Sequence, residues 1–125
     1  IMAFLNATLD CADNQRKAIL VAKEMREKMK KLDLGFKIGI GINSGTAVVG
    51  NMGSDQRFDY SVLGDAVNLA SRLEGVSKNY DTTIIIGEDT HKSAQQLHEK
   101  MYKIDSVIVK GKSNKVNIYS IKSYK

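Results

Sequence analysis

The sequence predicts a single α+β domain in which helices cover strands that pair in hairpins. Between residues 13 and 32, apolar residues recur at helical spacing. From residue 36 to residue 42 they instead alternate with lysine, glycine or asparagine, as in a half-buried strand. Strand-like and helix-like segments continue to alternate toward the end of the chain. This order is typical of an α+β sandwich and not of a doubly wound parallel sheet.

Length and composition leave room for one domain, residues 1–125, and too little for two. The 42% of hydrophobic and 26% of charged positions exclude wholesale disorder, and no apolar run reaches the ~18 residues of a membrane span. The single Cys11 excludes an internal disulfide, and His91 and His98 are too few for a histidine-rich metal site.

The net charge of +5 makes nucleic acid a candidate partner, but the charge is unevenly placed. Residues 13–32 carry seven basic and three acidic side chains, and residues 92–125 carry eight and two. The glycine-rich residues 33–91 carry four and eight. We interpret the basic excess as solvated surface with a local phosphate contact, and a nucleic-acid groove is the alternative.

The first predicted elements are the end of a strand, at residues 1–5, and a long helix. Residues 10–13 can cap this helix at its start, and Gly35 ends it. Its methionines are interpreted as core filler. The apolar positions that recur at helical spacing are Ala18, Val21, Ala22, Met25, Met29 and Leu32.

Turn signals and alternation predict the remaining elements. Asn43-Ser44-Gly45 predicts a hairpin turn between the strand at 36–42 and a returning strand at 46–49, with a loop at 50–57. A second helix is predicted from Gly64-Asp65 to about Asn79. The last predicted elements are a strand at 82–86, a short helix from 88 to about 97, and strands at 103–109 and 116–121 joined by a turn at 110–114.

The second predicted helix carries the most informative polar residues. On a helical projection its apolar residues fill one arc, and Asp65, Asn68 and Arg72 fall on a narrow strip beside it. Asn68 and Arg72 are four residues apart, so their side chains meet on one face. Arginine presents a planar fork of donors and asparagine both donates and accepts, so the pair suits an anionic, hydroxyl-bearing ligand. The alternative is that Arg72 pairs with a nearby carboxylate and Asn68 is polar helix surface.

Three segments of the chain, taken together, closely resemble the catalytic domain of class III adenylyl and guanylyl cyclases. They are FKIGIGINSG at 36–45, VGNMG at 49–53 and FDYSVLGDAVNLASRLEG at 58–75. The opening IMAF is similar to the strand just after a metal-binding aspartate, and VKGK at 109–112 is similar to a late turn of that family. The resemblance implies a ferredoxin-like cyclase sandwich without its N-terminal strand and helices, so residues 1–125 are expected to be a partial catalytic domain.

The resemblance implies a nucleotidyl cyclase, which closes the ribose 3′-hydroxyl of a nucleoside triphosphate onto the α-phosphate and releases pyrophosphate. Two divalent metal ions, Mg or Mn, assist this step in the family. Carried over position by position, Arg72 would stabilise charge on the α-phosphate, and Asn68 would hold the ribose and orient its hydroxyl. Lys110 would contact the terminal phosphates.

Base choice in this family depends partly on the residue seven positions before the asparagine, which is Ser61 here. Its hydroxyl is nearest to the threonine of a bacterial adenylyl subgroup. The resemblance therefore implies an adenine contact and ATP as the substrate, with a guanylyl cyclase as the alternative. Ser61 can also be interpreted as a strand-end hydroxyl that bonds to backbone.

The family builds each site between two subunits, so a second cyclase domain in a homodimer is the expected protein partner. One subunit supplies the metal aspartates, and the other supplies the asparagine, arginine and lysine. We assign no metal ligand to this chain, because Asp10, Asp59 and Asp65 do not fall at the matching positions and the ligands are expected before Ile1. The chain alone is expected to be inactive and to self-associate through strand edges and apolar helix faces.

A cytoplasmic location is expected from the nucleotide substrate and the lone thiol, with membrane attachment only through upstream domains and no nucleic acid bound. Two other functions stay open: a degenerate cyclase-like dimerisation or regulatory domain, and an RNA-binding α+β module. Such modules stack bases on sheet aromatics, whereas the candidate strands carry mainly isoleucine and valine and the whole chain has 3 Phe, 5 Tyr and no Trp.

Overall fold

The computed structural model describes residues 2–5, 12–35, 37–45, 48–52, 59–80, 82–94, 97, 100–108 and 115–122, with the backbone alone at 48–52 and 59–63. Within these ranges the elements in chain order are α1 (Asn14–Leu32), β1 (Ile40–Ile42), β2 (Val48–Met52), β3 (Asp59–Leu63), α2 (Asp65–Val76), a 3-10 helix (Ser77–Tyr80), β4 (Ile84–Gly87), α3 (Glu88–Ser93), β5 (Met101–Ile108) and β6 (Lys115–Ile121).

Four strands form a mixed sheet in the order β1-β4-β6-β5. β1 runs parallel to β4, whereas β6 runs antiparallel to both β4 and β5. A register shift between Lys103 and Asp105 marks a bulge in β5. β2 and β3 form a separate antiparallel ladder in which Gly50 lies opposite Ser61. The mixture of helices and largely antiparallel strands confirms the predicted α+β class.

The predicted hairpin of residues 36–42 with residues 46–49 is wrong. β1 pairs with β4, and β2 pairs with β3. β4 is a run of isoleucines buried on both faces, and such a central strand takes a hydrogen-bonded neighbour on each side, here β1 and β6. The sequence also predicts a loop where β2 continues to Met52 and predicts no strand at β3. Gly50 weakens the alternation signal in that ladder, because glycine has no side chain to pack.

The core lies on both faces of the sheet, because successive β4 side chains point to opposite sides. Ile84 and Ile86 pack in a cluster with α1, whereas Ile85 packs in a second cluster with α2. The other fully buried members of the first cluster include Ile19, Ala94 and Ile121, and those of the second include Leu73 and Ile118. α1 and α2 therefore cover opposite faces of one sheet.

α1 confirms the predicted long helix, but its buried face differs from the predicted one. Val21, Met25 and Leu32, which the pattern assigns to the apolar face, are 54%, 47% and 59% exposed. The helix instead buries Lys23 and Arg26, and Arg26 Nη1 donates to the Ile121 carbonyl at 3.0 Å. Methionine at position 25 is therefore surface and not core filler.

The two ends of α1 also differ in detail from the sequence prediction. Asp13 occupies the N-cap position, but its carboxylate accepts a hydrogen bond from Arg16 Nε at 2.5 Å and does not cap the backbone. The helix ends at Asp33, which has a left-handed φ of +46°, two residues before Gly35. α1 is the longest described helix, and no described helix is long and apolar enough to cross a bilayer.

Candidate functional site

α2 carries the predicted pair Asn68 and Arg72, and it lies directly on the backbone of β1. A Cβ atom at Gly41 would collide with the Ala70 carbonyl oxygen and the Glu74 amide nitrogen of α2. One at Gly39, just before the strand, would come 2.9 Å from the Glu74 carbonyl oxygen. A side chain at either glycine would push the helix away from the strand. These two glycines therefore set the height of α2 above the sheet.

The local sequence also fixes which face of α2 turns outward. The helix begins directly after Gly64, whose φ of +150° favours glycine. Leu69 and Leu73, one turn apart, are buried in the core between α2 and the sheet. The polar strip that contains Asn68 and Arg72 is exposed beside this anchored face. The predicted helix from Gly64-Asp65 is confirmed, and its last turn continues as the 3-10 helix.

Asn68 and Arg72 are brought together on this exposed strip. Within the part of the chain that the structure describes, neither side chain has a hydrogen-bond or ion-pair partner. The alternative interpretation was that Arg72 pairs with a nearby carboxylate. No carboxylate among the described residues forms an ion pair with Arg72. A guanidinium and a carboxamide one turn apart, neither occupied by an internal bond, can present several donors and one acceptor to an anionic, hydroxyl-bearing ligand.

The structure places the other two predicted site residues less completely. Ser61 lies in the middle of β3, opposite Gly50 of β2, and not at the end of a strand. β3 leads through Gly64 into α2, so the strand with Ser61 and the helix with Asn68 are consecutive elements. Lys110 and the predicted turn at 110–114 lie outside the described residues.

The two-metal chemistry that the resemblance implies needs a cluster of carboxylate ligands. Among the residues that the structure describes, no group of three or more His, Cys, Asp or Glu side chains could hold a metal ion. Asp65 and Glu74 of α2 are both exposed, and Asp65 lies in the first turn, where a carboxylate interacts favourably with the helix N-terminus. The described residues do not fit a two-metal site by themselves.

Among the described residues, a shallow polar depression on the surface is lined by Gln15, Ser44, Gly45, Asp89 and Ser93. None of the predicted site residues contributes to it. Asn68 and Arg72 lie on an exposed helix face, and such a face binds a ligand tightly only when a second surface covers it.

Sequence reasoning missed two contacts at the carboxyl end of β1. Asn43 Nδ2 donates to the Ala66 carbonyl of α2 at 3.0 Å, and the hydroxyls of Ser44 and Thr90 lie 2.7 Å apart. The segment Asn43-Ser44-Gly45 was predicted to be a hairpin turn because asparagine, serine and glycine are all common in turns. Polar residues at the carboxyl end of a strand that runs parallel to its neighbour are the signal that points to a site instead.

The family of adenylate and guanylate cyclase catalytic domains matches residues 4–123. The terminal-differentiation-specific adenylate cyclase of Dictyostelium discoideum is 38% identical over 121 residues, which are 88% of this chain and 6% of that protein. An adenylate cyclase of Anabaena cylindrica is 41% identical over 90 residues, which are 70% of this chain and 18% of that protein. The chain therefore spans less than a fifth of either relative.

The solved structure of the guanylyl cyclase Cya2 shares the fold. Its TM-score with this chain is 0.77 at 29% sequence identity, and the superposition covers 97% of this chain and 64% of that one. Sequence and fold agree, which confirms both the predicted resemblance and the ferredoxin-like cyclase sandwich.

Proposed function

Because the chain belongs to the family of adenylate and guanylate cyclase catalytic domains, we propose that it takes part in converting ATP into 3′,5′-cyclic AMP and pyrophosphate. The ribose 3′-oxygen bonds to the α-phosphorus, the bond between the α-phosphorus and the bridging oxygen breaks, and pyrophosphate and the hydroxyl proton leave. The product is a diffusible messenger, so the proposal places the chain in signal transduction and in the cytoplasm, where ATP is abundant.

One observation carries the proposal: Asn68 and Arg72 lie one turn apart on an exposed, firmly seated helix face, with no internal partner among the described residues. A buried or internally bonded pair would be structural. An exposed pair held on a rigid element suits ligand binding, because little ordering is required when the ligand arrives.

The proposed roles follow from the charge that develops during ring closure. Negative charge builds on the α-phosphate oxygens, and the Arg72 guanidinium can donate two parallel hydrogen bonds to them. The Asn68 amide can both accept from and donate to ribose hydroxyls, which orients the 3′-oxygen toward phosphorus. Lys110 is proposed to contact the terminal phosphates, which become the leaving group.

A second cyclase domain completes the site in this proposal, in a homodimer. The ligands of the two divalent ions, Mg or Mn, are proposed to lie outside residues 1–125. The 125-residue chain alone is then expected to form no cyclic AMP.

ATP is proposed as the substrate over GTP because of Ser61, whose hydroxyl would contact adenine. The similarity to two proteins named adenylate cyclases supports this choice. Cya2, the solved structure that shares this fold, is a guanylyl cyclase, so GTP is the competing substrate in every assay.

A complementation assay tests the proposal. The catalytic domain of the Anabaena cylindrica relative is prepared with alanine at the two positions that align with Asn68 and Arg72. This domain, the 125-residue chain, and their mixture are each incubated with Mg or Mn and either ATP or GTP. Cyclic AMP is expected from the mixture alone, because only the mixture holds both halves of one site.

Two variants of the chain make the assay specific. Arg72→Ala is expected to abolish complementation, whereas Lys78→Ala, an exposed cation just beyond α2, is expected to preserve it. Cyclic AMP from the chain alone would refute the placement of the metal ligands. If the mixture forms no cyclic AMP but the two domains still co-sediment, a degenerate dimerisation domain is favoured. If the chain binds RNA in a salt-dependent way and binds no nucleotide, the RNA-binding module is favoured.

A further inference from the structure

The segment Asn43-Ser44-Gly45 bridges β1 to two helices. The Asn43 amide donates to the Ala66 carbonyl of α2 at 3.0 Å, and the Ser44 hydroxyl lies 2.7 Å from that of Thr90 in α3. A Cβ at Gly45 would come 2.6 Å from the Ala66 Cβ, so the segment also touches α2 directly. The segment Asn43-Ser44-Gly45, which was predicted to be a turn, therefore connects the sheet to both α2 and α3. We call this segment the bracket.

The α2 contact of the bracket is close to the candidate site. Ala66 belongs to the first turn of α2, two residues before Asn68 and six before Arg72. Glycines 39 and 41 fix the height of α2 above β1, and Leu69 and Leu73 anchor its buried face. The hydrogen bond from Asn43 adds a directional contact that holds the first turn of the helix.

The oxygen of the Asn43 side-chain amide indicates that the stability of the fold does not by itself account for asparagine at this position. Its Oδ1 is buried and has no hydrogen-bond partner among the described residues. The oxygen lies against Gly87, where a Cβ would collide with it. A buried acceptor without a partner costs free energy, whereas an apolar side chain of similar shape would avoid that cost. Violations of this kind are expected where a residue serves a site.

We propose that Asn43 is a positioning residue for ring closure: by holding the first turn of α2, it sets where Asn68 and Arg72 meet the nucleotide. Asn43 itself touches no substrate. The catalytic consequence rests on the proposed function, whereas the mechanical half, that the amide fixes the first turn of α2, is independent of it.

The test uses two variants of the 125-residue chain and one matched control. Asn43→Leu keeps the approximate shape without the donor, and Asn43→Asp is isosteric but points a carboxylate at the Ala66 carbonyl. Ser44→Ala is the control, because it removes the neighbouring bond to α3 and leaves the bond to α2. Amide hydrogen exchange is measured at Val67 and Asn68, whose N–H groups both bond to the Gly64 carbonyl at 3.1 Å.

Both Asn43 variants are expected to speed exchange at Val67 and Asn68 by about fivefold or more, because local opening becomes easier. In the complementation assay their turnover number is expected to fall by about tenfold or more, with a smaller change in KM, since a misoriented hydroxyl affects the chemical step. Asn43→Leu should retain its thermal midpoint, because it also removes the unpartnered oxygen. Ser44→Ala should match the unsubstituted chain in exchange at α2 and in turnover.

Unchanged exchange in both Asn43 variants would overturn the proposal, as would an equal loss of turnover in Ser44→Ala. Loss of turnover only in step with the thermal midpoint would show a merely structural role. If the unsubstituted chain gives no complementation, the proposed function fails, and the exchange data still decide whether Asn43 holds α2.

Discussion

Arg72 is exposed and has no ion-pair partner among the described residues, so its replacement should change chemistry without changing the fold. Arg72→Lys keeps the charge but loses the planar fork that matches a phosphate. We expect turnover in the complementation assay to fall by about 10²-fold or more, the range found when one preorganised donor to a developing oxyanion is removed. The thermal midpoint should not move.

Circular dichroism during heating and the cyclic AMP yield measure the two effects separately. Lys78→Arg is the matched control, an equally exposed cation on the 3-10 helix that follows α2. A lysine at position 72 that supports full turnover would show that the fork geometry is not used.

Tyr80 and Asp105 form a second residue-level pair, outside the candidate site. The Tyr80 hydroxyl donates to Asp105 Oδ2 at 2.7 Å. This bond favours the charged carboxylate and the neutral phenol, so it lowers the pKa of Asp105 and raises the pKa of Tyr80. Its stabilising effect is complete between the ordinary pKa values of 3.8 and 10.0. It is lost as the pH falls through the lowered pKa of Asp105, and again as the pH rises through the raised pKa of Tyr80.

Tyr80→Phe is therefore expected to raise the pKa of Asp105 toward its ordinary value. The Ser106 amide, which donates to Oδ1 at 2.7 Å, should keep part of the lowering. An NMR titration of the Asp105 carboxyl carbon measures the change. Tyr102→Phe, another exposed tyrosine near the start of β5, should leave the titration curve where it is. If the two variants titrate alike, the hydrogen bond does not persist in solution.

The sequence could predict the candidate residues better than their surroundings. Spacing alone placed Asn68 and Arg72 on one helix face, because helical periodicity is a local property. It could not show that Arg72 lacks an internal partner, since that depends on which side chains the tertiary fold brings near. Asn43 was misread for the same reason: its bond to Ala66 crosses 23 positions of sequence, and no local pattern reports such a contact.

At the level of elements, the close approach of α2 to the backbone of β1 predicts that a side chain at Gly41 destabilises the fold. Gly41→Ala places a methyl group against the Ala70 carbonyl and the Glu74 amide, both backbone atoms that cannot move aside. We expect the free energy of unfolding to fall by about 1–3 kcal/mol, the usual cost of overpacking. Urea titration followed by circular dichroism measures this loss.

A glycine in α2 itself supplies the control. A Cβ at Gly75 would meet nothing within 4 Å, and alanine is the better helix former. Gly75→Ala should therefore raise the free energy of unfolding by about 0.5–1 kcal/mol. Equal effects at the two glycines, in either direction, would contradict the close approach of α2 to β1.

The elements that the sequence predicted well are those that a local pattern of residues indicates. α1, α2, β4, β5 and β6 are all present close to their predicted ranges. The β1 partner was wrong because strand pairing is decided by β4, 44 residues further along at the Ile40–Ile84 pair, and not by the turn that follows β1. The predicted buried face of α1 was wrong because apolar periodicity could not anticipate that the basic residues Lys23 and Arg26 are buried.

At the scale of the whole molecule, two exposed helix surfaces among the described residues could take part in association. One is the strip of α2 with Asn68 and Arg72, which the proposed second domain would cover. The other is a stripe on α1 formed by Val21, Met25 and Leu32, which fall within a narrow arc of the helix and are each close to half exposed or more. The two surfaces lie on opposite faces of the sheet, so association through one does not compete with association through the other.

The stripe on α1 predicts that the 125-residue chain self-associates independently of any cyclase pairing. Apolar surface gains free energy when it leaves water, at about 25 cal/mol per Å², so removing one large apolar side chain from a contact should weaken association about fivefold or more. Met25→Gln tests this by sedimentation velocity over a range of concentrations, and Glu24→Gln, its exposed neighbour, is the matched control. Because the stripe and the α2 strip face apart, Met25→Gln should leave complementation intact. A chain that stays strictly monomeric, or one whose association responds equally to both substitutions, would show that the exposed stripe does not drive contact between copies.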